Sequence, residues 1–125
     1  MSSAPAASAS CLILVVEDDA DLRDSLVQLL RLEGFQVEAA EHGEVALQRF
    51  RAGLRPRLVL LDMMMPVMNG LDLLRHLEWE GLRDEVPVVA LTALTQLPVE
   101  LPVQGMLRKP PRLQELLGFA RRHCA

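Results

Sequence analysis

The chain has no tyrosine, three phenylalanines, one tryptophan, two cysteines and, among thirteen basic residues, a single lysine, Lys109. Each scarcity excludes something. The longest uninterrupted apolar run, Cys11 to Val16, is far below the roughly 20 residues that a membrane-spanning helix needs, so membrane insertion is not expected. Seventeen acidic residues outnumber the basic ones, for a formal net charge of -4. A chain so charged lacks the basic field of a sequence-independent nucleic-acid binder, and no direct nucleic-acid partner is expected. Neither Cys11 nor Cys124 belongs to a C-x-x-C pair, so no zinc or redox motif is legible. The cysteines are therefore read as reduced thiols in a cytoplasmic setting. Residues 1–10 are rich in Ala, Ser and Pro, with no basic start and no long apolar stretch. They fail as a signal peptide and read as a disordered leader, which leaves 11–123 as one domain.

What is present is alternation. Half of the 125 residues are apolar, enough for a single core. Cys11 to Val16 has the unbroken apolar character of a strand buried on both faces. Ala20 to Glu33 follows with Leu22, Leu26, Leu29 and Leu30 on one helical stripe, stopped by Gly34. Strands are predicted at 35–40, 57–61, 86–91 and 105–108, and further helices at 44–51, 71–80 and from Leu113 onward. Pro98 and Pro102 leave no helix of useful length between the last two strands. Strand–helix alternation with apolar strands predicts an α/β fold, a doubly wound five-stranded parallel sheet with helices on both faces. The order 2-1-3-4-5 fits best, and places the carboxyl ends of strands one and three together at a topological switch point.

Those ends carry the chemistry. Strand one runs into Glu17-Asp18-Asp19 and strand three into Asp62, while strands four and five end in Thr92 and Lys109-Pro110. Converging carboxylates repel, and a hard divalent cation relieves them; magnesium suits one or two carboxylates and keeps waters for a phosphate. An aspartate can act as nucleophile towards a phosphoryl group. Lys109 offers a compact, long-reaching cation to such an anionic group, and Thr92 a hydroxyl donor. Asp21 and Asp24 have a simpler reading as complements to the first helix dipole. His42, His76 and His123 read as surface or boundary residues, and Trp79 as packing.

The chain resembles the receiver domain of two-component response regulators over nearly all of residues 11–123. The resemblance rests on Leu-Val-Val-Glu-Asp-Asp (14–19), Leu-Leu-Asp-Met-Met-Met-Pro-Val-Met-Asn-Gly (60–70), Ala-Leu-Thr-Ala (90–93) and Arg-Lys-Pro (108–110), four motifs in order at strand ends. It implies Asp62 as the phosphoacceptor and Thr92 and Lys109 as its catalytic companions. Glu17, Asp18, Asp62 and the backbone carbonyl of Met64 would hold Mg2+, with Asp18 the direct ligand of the acidic pair. It further implies a cis Lys109-Pro110 bond, and a histidine kinase or histidine phosphotransfer protein as donor. The domain would be a signalling element rather than an enzyme in the ordinary sense.

The chain departs from that family where signals usually leave. Met106 stands where an aromatic switch residue is expected, and the stretch from Thr92 to Lys109 is short by about four residues, a helical turn. The family's fourth helix is thus expected to be shortened or missing. The usual dimer through helix four, strand five and helix five is not expected, and output would use another surface. In the family the residues two beyond the acceptor and two beyond the threonine govern dephosphorylation. Met64 and Leu94, both apolar, predict slow self-hydrolysis. The competing reading is a pseudo-receiver, an interaction module that kept the fold without switching. A dehalogenase-like phosphatase would need an aspartate at position 64, and a flavin carrier would need a first loop that welcomes phosphate; neither fits.

Overall fold

An apolar run without alternation offers no face to water and has to be covered on both sides. In the computed structural model, which describes residues 11–83, 86–93 and 103–124, this places β1 (Leu12–Val16), β3 (Leu58–Asp62) and β4 (Val88–Thr92) at the centre of one sheet. β2 (Gln36–Ala40) and β5 (Gly105–Arg108), each with exposed positions, form the edges. The order is β2-β1-β3-β4-β5 and every neighbouring pair is parallel. The predicted architecture therefore holds, with strand limits shifted by one or two residues.

Strand alternation sorts the core into two layers. Ile13, Val15, Leu58, Leu60, Val89, Leu91 and Leu107 face one side, where α1 (Ala20–Leu32) contributes Leu26, Val27 and Leu30 and α4 (Leu113–Cys124) contributes Leu116, Leu117 and Ala120. Leu14, Val16, Val59, Leu61, Val88 and Ala90 face the other. There α2 (Gly43–Arg51) supplies Ala46, Leu47 and Phe50, and α3 (Gly70–Trp79) supplies Leu73, Leu74 and Leu77. These four helices are those of the described residues. The expected shortening of the family's fourth helix concerns residues 94–102, which lie outside them, as does the 1–10 leader.

Local signals set the helix limits. Asp19 caps α1 by accepting from the N–H groups of Asp21 and Leu22, at 3.0 and 3.2 Å. Asn69 caps α3 through the N–H of Asp72 at 2.9 Å. Both side chains satisfy donors that the first helical turn leaves without partners. Gly34, at φ 96°, ends α1 in the left-handed conformation that glycine adopts without strain.

Two expectations need correction. Trp79 is 79% exposed, because it lies off the Leu73–Leu74–Leu77 stripe that α3 turns inward. Its ring meets the His76 ring edge-on, at 5.8 Å between centroids. Cys11 and Cys124, read as separate reduced thiols, are joined as a disulfide, with Cα atoms 5.5 Å apart. Their separation of 113 positions hides the pairing in the sequence; α4 closing over the start of β1 creates it.

The layering carries a direct test. Leu61 is fully buried against α2 and α3, so Leu61→Ala is expected to destabilise the domain by about 2–5 kcal/mol in urea titration. Leu32→Ala, at a side chain 81% exposed, is expected to change stability by less than about 0.5 kcal/mol.

Candidate functional site

The central strands end nearly level. Val16 lies opposite Leu61, Asp62 opposite Leu91, and Thr92 opposite Arg108. The next polar residues therefore share one rim at the carboxyl edge of the sheet. Glu17, Asp62 and Thr92 are the only buried polar side chains among the described residues, a concentration that an apolar sheet tolerates only where partners are supplied.

Glu17 is held from both sides of its peptide. Its N–H donates to the Ala40 carbonyl at 3.1 Å, and its own carbonyl accepts from the Arg23 guanidinium at 3.0 Å. Its carboxylate is divided: Oε2 accepts from the Asp19 N–H at 3.1 Å, and Oε1 lies 2.7 Å from Lys109 Nζ. Asp62 is divided likewise. Oδ1 accepts from the Met64 N–H at 3.0 Å and lies 3.1 Å from Lys109 Nζ. Oδ2 is buried and has no hydrogen-bonding partner.

The backbone around Asp62 is packed closely. A Cβ on Gly70 would come within 2.9 Å of the Asp62 carbonyl and 2.6 Å of the Met63 sulfur, so α3 can start this near the site only with glycine there. Met63 and Met65 turn into the core, while Met64 is 67% exposed beside the acceptor loop. Thr92 is joined to Lys109 through the backbone, its carbonyl accepting the Lys109 N–H at 2.8 Å. The Lys109-Pro110 bond is cis, as the resemblance implied.

Glu17, Asp18 and Asp62 each present a carboxylate oxygen within 4.8 Å of the others. Three carboxylates against one ammonium leave an excess of negative charge, and titration behaviour reflects it. Asp62 is pushed up to about 7, by burial first and then by the neighbouring acids Asp18 and Glu17, against the opposing Met64 N–H. Asp18 moves down, chiefly through its closeness to the Asp62 carboxyl group, which takes the proton in its place. Burial alone would lower Lys109, but its contacts with Glu17 and Asp62 outweigh that and raise it. A hard divalent cation suits this donor set: oxygen ligands, excess charge and a buried oxygen lacking a partner.

Of the residues predicted for the site by side chain, Glu17, Asp18, Asp62 and Lys109 come together, and Thr92 lies buried on the same rim, joined to Lys109 through its carbonyl. Met64 enters through its N–H on Asp62. Sequence reasoning did not anticipate that Glu17 would be engaged by Lys109 and Asp19 rather than free, nor that Arg23 would secure its carbonyl. The Arg23 spacing, one helical turn beyond the acidic end of β1, was the available signal.

A doubly wound α/β domain with an acidic pocket and one paired lysine at its switch point is the class that fold and site define. A family profile described as the response regulator receiver domain matches residues 13–120, and the chain belongs to that family. It is 38% identical to the alkaline phosphatase synthesis transcriptional regulatory protein SphR of Synechococcus elongatus, over 94% of this chain and 50% of that protein. It is 42% identical to the DNA-binding response regulator MtrA of Mycobacterium tuberculosis, over 87% of this chain and 48% of that protein. The chain thus spans about half the length of these relatives. Among solved structures, the chemotaxis protein CheY4 of Vibrio cholerae superposes with a TM-score of 0.81 at 26% identity, covering 90% of this chain and 98% of that one. A response regulator from Chloroflexus aurantiacus gives 0.81 at 27% identity, covering 91% and 97%. Among the described residues no helix is long and apolar enough to cross a membrane.

The raised Asp62 sets a sign for pH dependence. A carboxyl with a folded pKa near 7 and an unfolded value of 3.8 binds more protons when folded, so its contribution is full at low pH and lost as pH rises through about 7. Without divalent cations, the thermal midpoint is expected to fall between about pH 5 and about pH 8. Millimolar magnesium is expected to reverse that fall at the higher pH and do little at the lower, read by calorimetry.

Proposed function

We propose that the domain accepts a phosphoryl group on Asp62 from the phosphohistidine of a histidine kinase or phosphotransfer protein. The observation that carries this reading is the buried Asp62 carboxylate, with one oxygen held by Lys109 and the Met64 N–H and the other without a hydrogen-bonding partner. An Asp62 oxygen forms the new bond to phosphorus as the phosphorus–nitrogen bond of the donor breaks, and the imidazole leaves with the electron pair. Lys109 neutralises charge on the incoming group, and the Thr92 hydroxyl donates to a phosphoryl oxygen. Asp18, Asp62 and the Met64 carbonyl would hold Mg2+, with Glu17 completing the acidic group. The bound ion supplies charge neutralisation for an otherwise repelled donor. Excess negative charge in the pocket is what supports magnesium here.

Incubation of the whole chain with acetyl phosphate and magnesium is expected to add the mass of one phosphoryl group. Asp62→Asn is expected to abolish the adduct, and Lys109→Ala to slow its formation by about 10²-fold or more, the scale of losing a charge-stabilising donor. Wild-type chain that stays unmodified by both a phosphohistidine donor and acetyl phosphate would establish the pseudo-receiver reading instead. One feature favours that reading: Met106, at the position of the family's aromatic switch, is 40% exposed and has no ring to couple the site to the β5 face.

We infer that output leaves by a surface other than α4 with β5, and that the usual dimer through that face does not form. The acidic balance of the chain supports assigning no DNA contact to these residues; the DNA binding named for MtrA would then belong to the part of that protein outside the match.

The phosphoaspartate is expected to decay slowly. Met64 lies exposed beside the acceptor and its thioether cannot orient an attacking water as a polar side chain would. Met64→Asn is expected to speed decay several-fold in a time course of intact mass; equal decay of the two proteins would remove Met64 from this role.

A further inference from the structure

Cys11 precedes β1 and Cys124 closes α4, at the edge of the sheet opposite Glu17 and Asp62. Both are buried, in the apolar layer that holds Ile13, Leu26, Leu116 and Ala120. Their Cα separation of 5.5 Å lies within the span that a disulfide bridges. They are the only two cysteines of the chain, so no third thiol competes for pairing. We propose that this pair is a reversible thiol–disulfide clasp, responsive to low-molecular-weight disulfides of the glutathione class.

Oxidation is a pair of exchanges. A thiolate of the pair attacks the small disulfide, forming a mixed disulfide and releasing one small thiol. The second protein thiolate then attacks the protein sulfur of that mixed disulfide and releases the other. Two electrons and two protons pass from the protein thiols to the small disulfide, which is reduced to two thiols. Reduction is the reverse.

Position in the fold accounts for reversibility. Cys11 is held under the sheet, but Cys124 sits in the last turn of α4, and terminal turns open locally at far smaller cost than the whole domain. That opening exposes a sulfur without global unfolding. Within that turn, the Arg122 guanidinium supplies a positive charge next to Cys124, which offsets part of the cost that burial and the helix C-terminus place on the thiolate. The consequence is equally local in origin and wide in effect. The clasp closes a loop of 113 positions and fastens the first strand to the last helix, while Lys109 fastens the opposite ends of β1 and β5 through Glu17 at 2.7 Å. The oxidised domain is secured at both poles, the reduced one at the site alone.

The whole chain is equilibrated with oxidised and then with reduced glutathione. The oxidised form is expected to lose two hydrogens by intact mass and to resist alkylation. It is also expected to melt about 10 °C higher than the reduced form. Hydrogen exchange in residues 113–124 should be faster in the reduced form. Cys124→Ser and Cys11→Ala are each expected to melt at a temperature that glutathione does not change. Two alkylatable thiols after oxidation, disulfides between chains, or a midpoint indifferent to redox state would each overturn the proposal. So would reduction that proceeds only at the rate of global unfolding, measured in parallel.

Discussion

The contact of one ammonium with two buried carboxylates organises this molecule. Lys109 Nζ lies 2.7 Å from Glu17 and 3.1 Å from Asp62, and both acids are all but inaccessible to solvent. Removing two carboxylates from water is expensive unless charge and hydrogen bonds replace it. Lys109 meets only part of that need, because Asp18 adds a third acid to the same space. The balance is left to a proton on Asp62 or to a cation, and this is why a site stable enough to fold remains ready to take a charged ligand. An anionic phosphoryl group approaching Asp62 meets the same imbalance, which a divalent ion corrects.

That arrangement depends on the central strands being apolar everywhere else. With β1, β3 and β4 covered on both faces, the strands have no polar side chain to offer until they reach the rim, and the parallel order makes all the rims coincide. The backbone then fixes what the side chains need. Glu17 is bonded through both its N–H and its carbonyl, Thr92 is tied to Lys109, and Gly70 lets α3 begin against the Asp62 carbonyl. Such a rim is rigid where it presents the acceptor oxygen and open where Asp18 and Met64 face solvent.

How much of this could be read beforehand differs from feature to feature. The central strands were legible because burial on both faces forces an unbroken apolar run, and the end of α1 because Gly34 acts on its own neighbours; the caps Asp19 and Asn69 emerged only with the structure. The site residues were legible because polar groups at the ends of apolar strands have few other reasons to be there. Trp79 misled because a large apolar residue suggests packing, whereas its place off the inward stripe of α3 decides its exposure. The partition of the methionines, Met63 and Met65 inward and Met64 outward, also depended on the path of the loop.

Composition, periodicity and the identity of residues at strand ends are local properties, and from them the chain itself determined its α/β class, its strand order and the members of its acidic pocket. Tertiary structure alone decided what those members do to one another. That Glu17 is engaged by Lys109, that Asp62 keeps one oxygen without a partner, and that Cys11 meets Cys124 are consequences of distances between segments far apart in the chain. Such distances are set by how helices settle on the two faces of the sheet. A lone lysine and two unremarkable cysteines marked the opposite poles of one domain only after β1, β5 and α4 had been brought together.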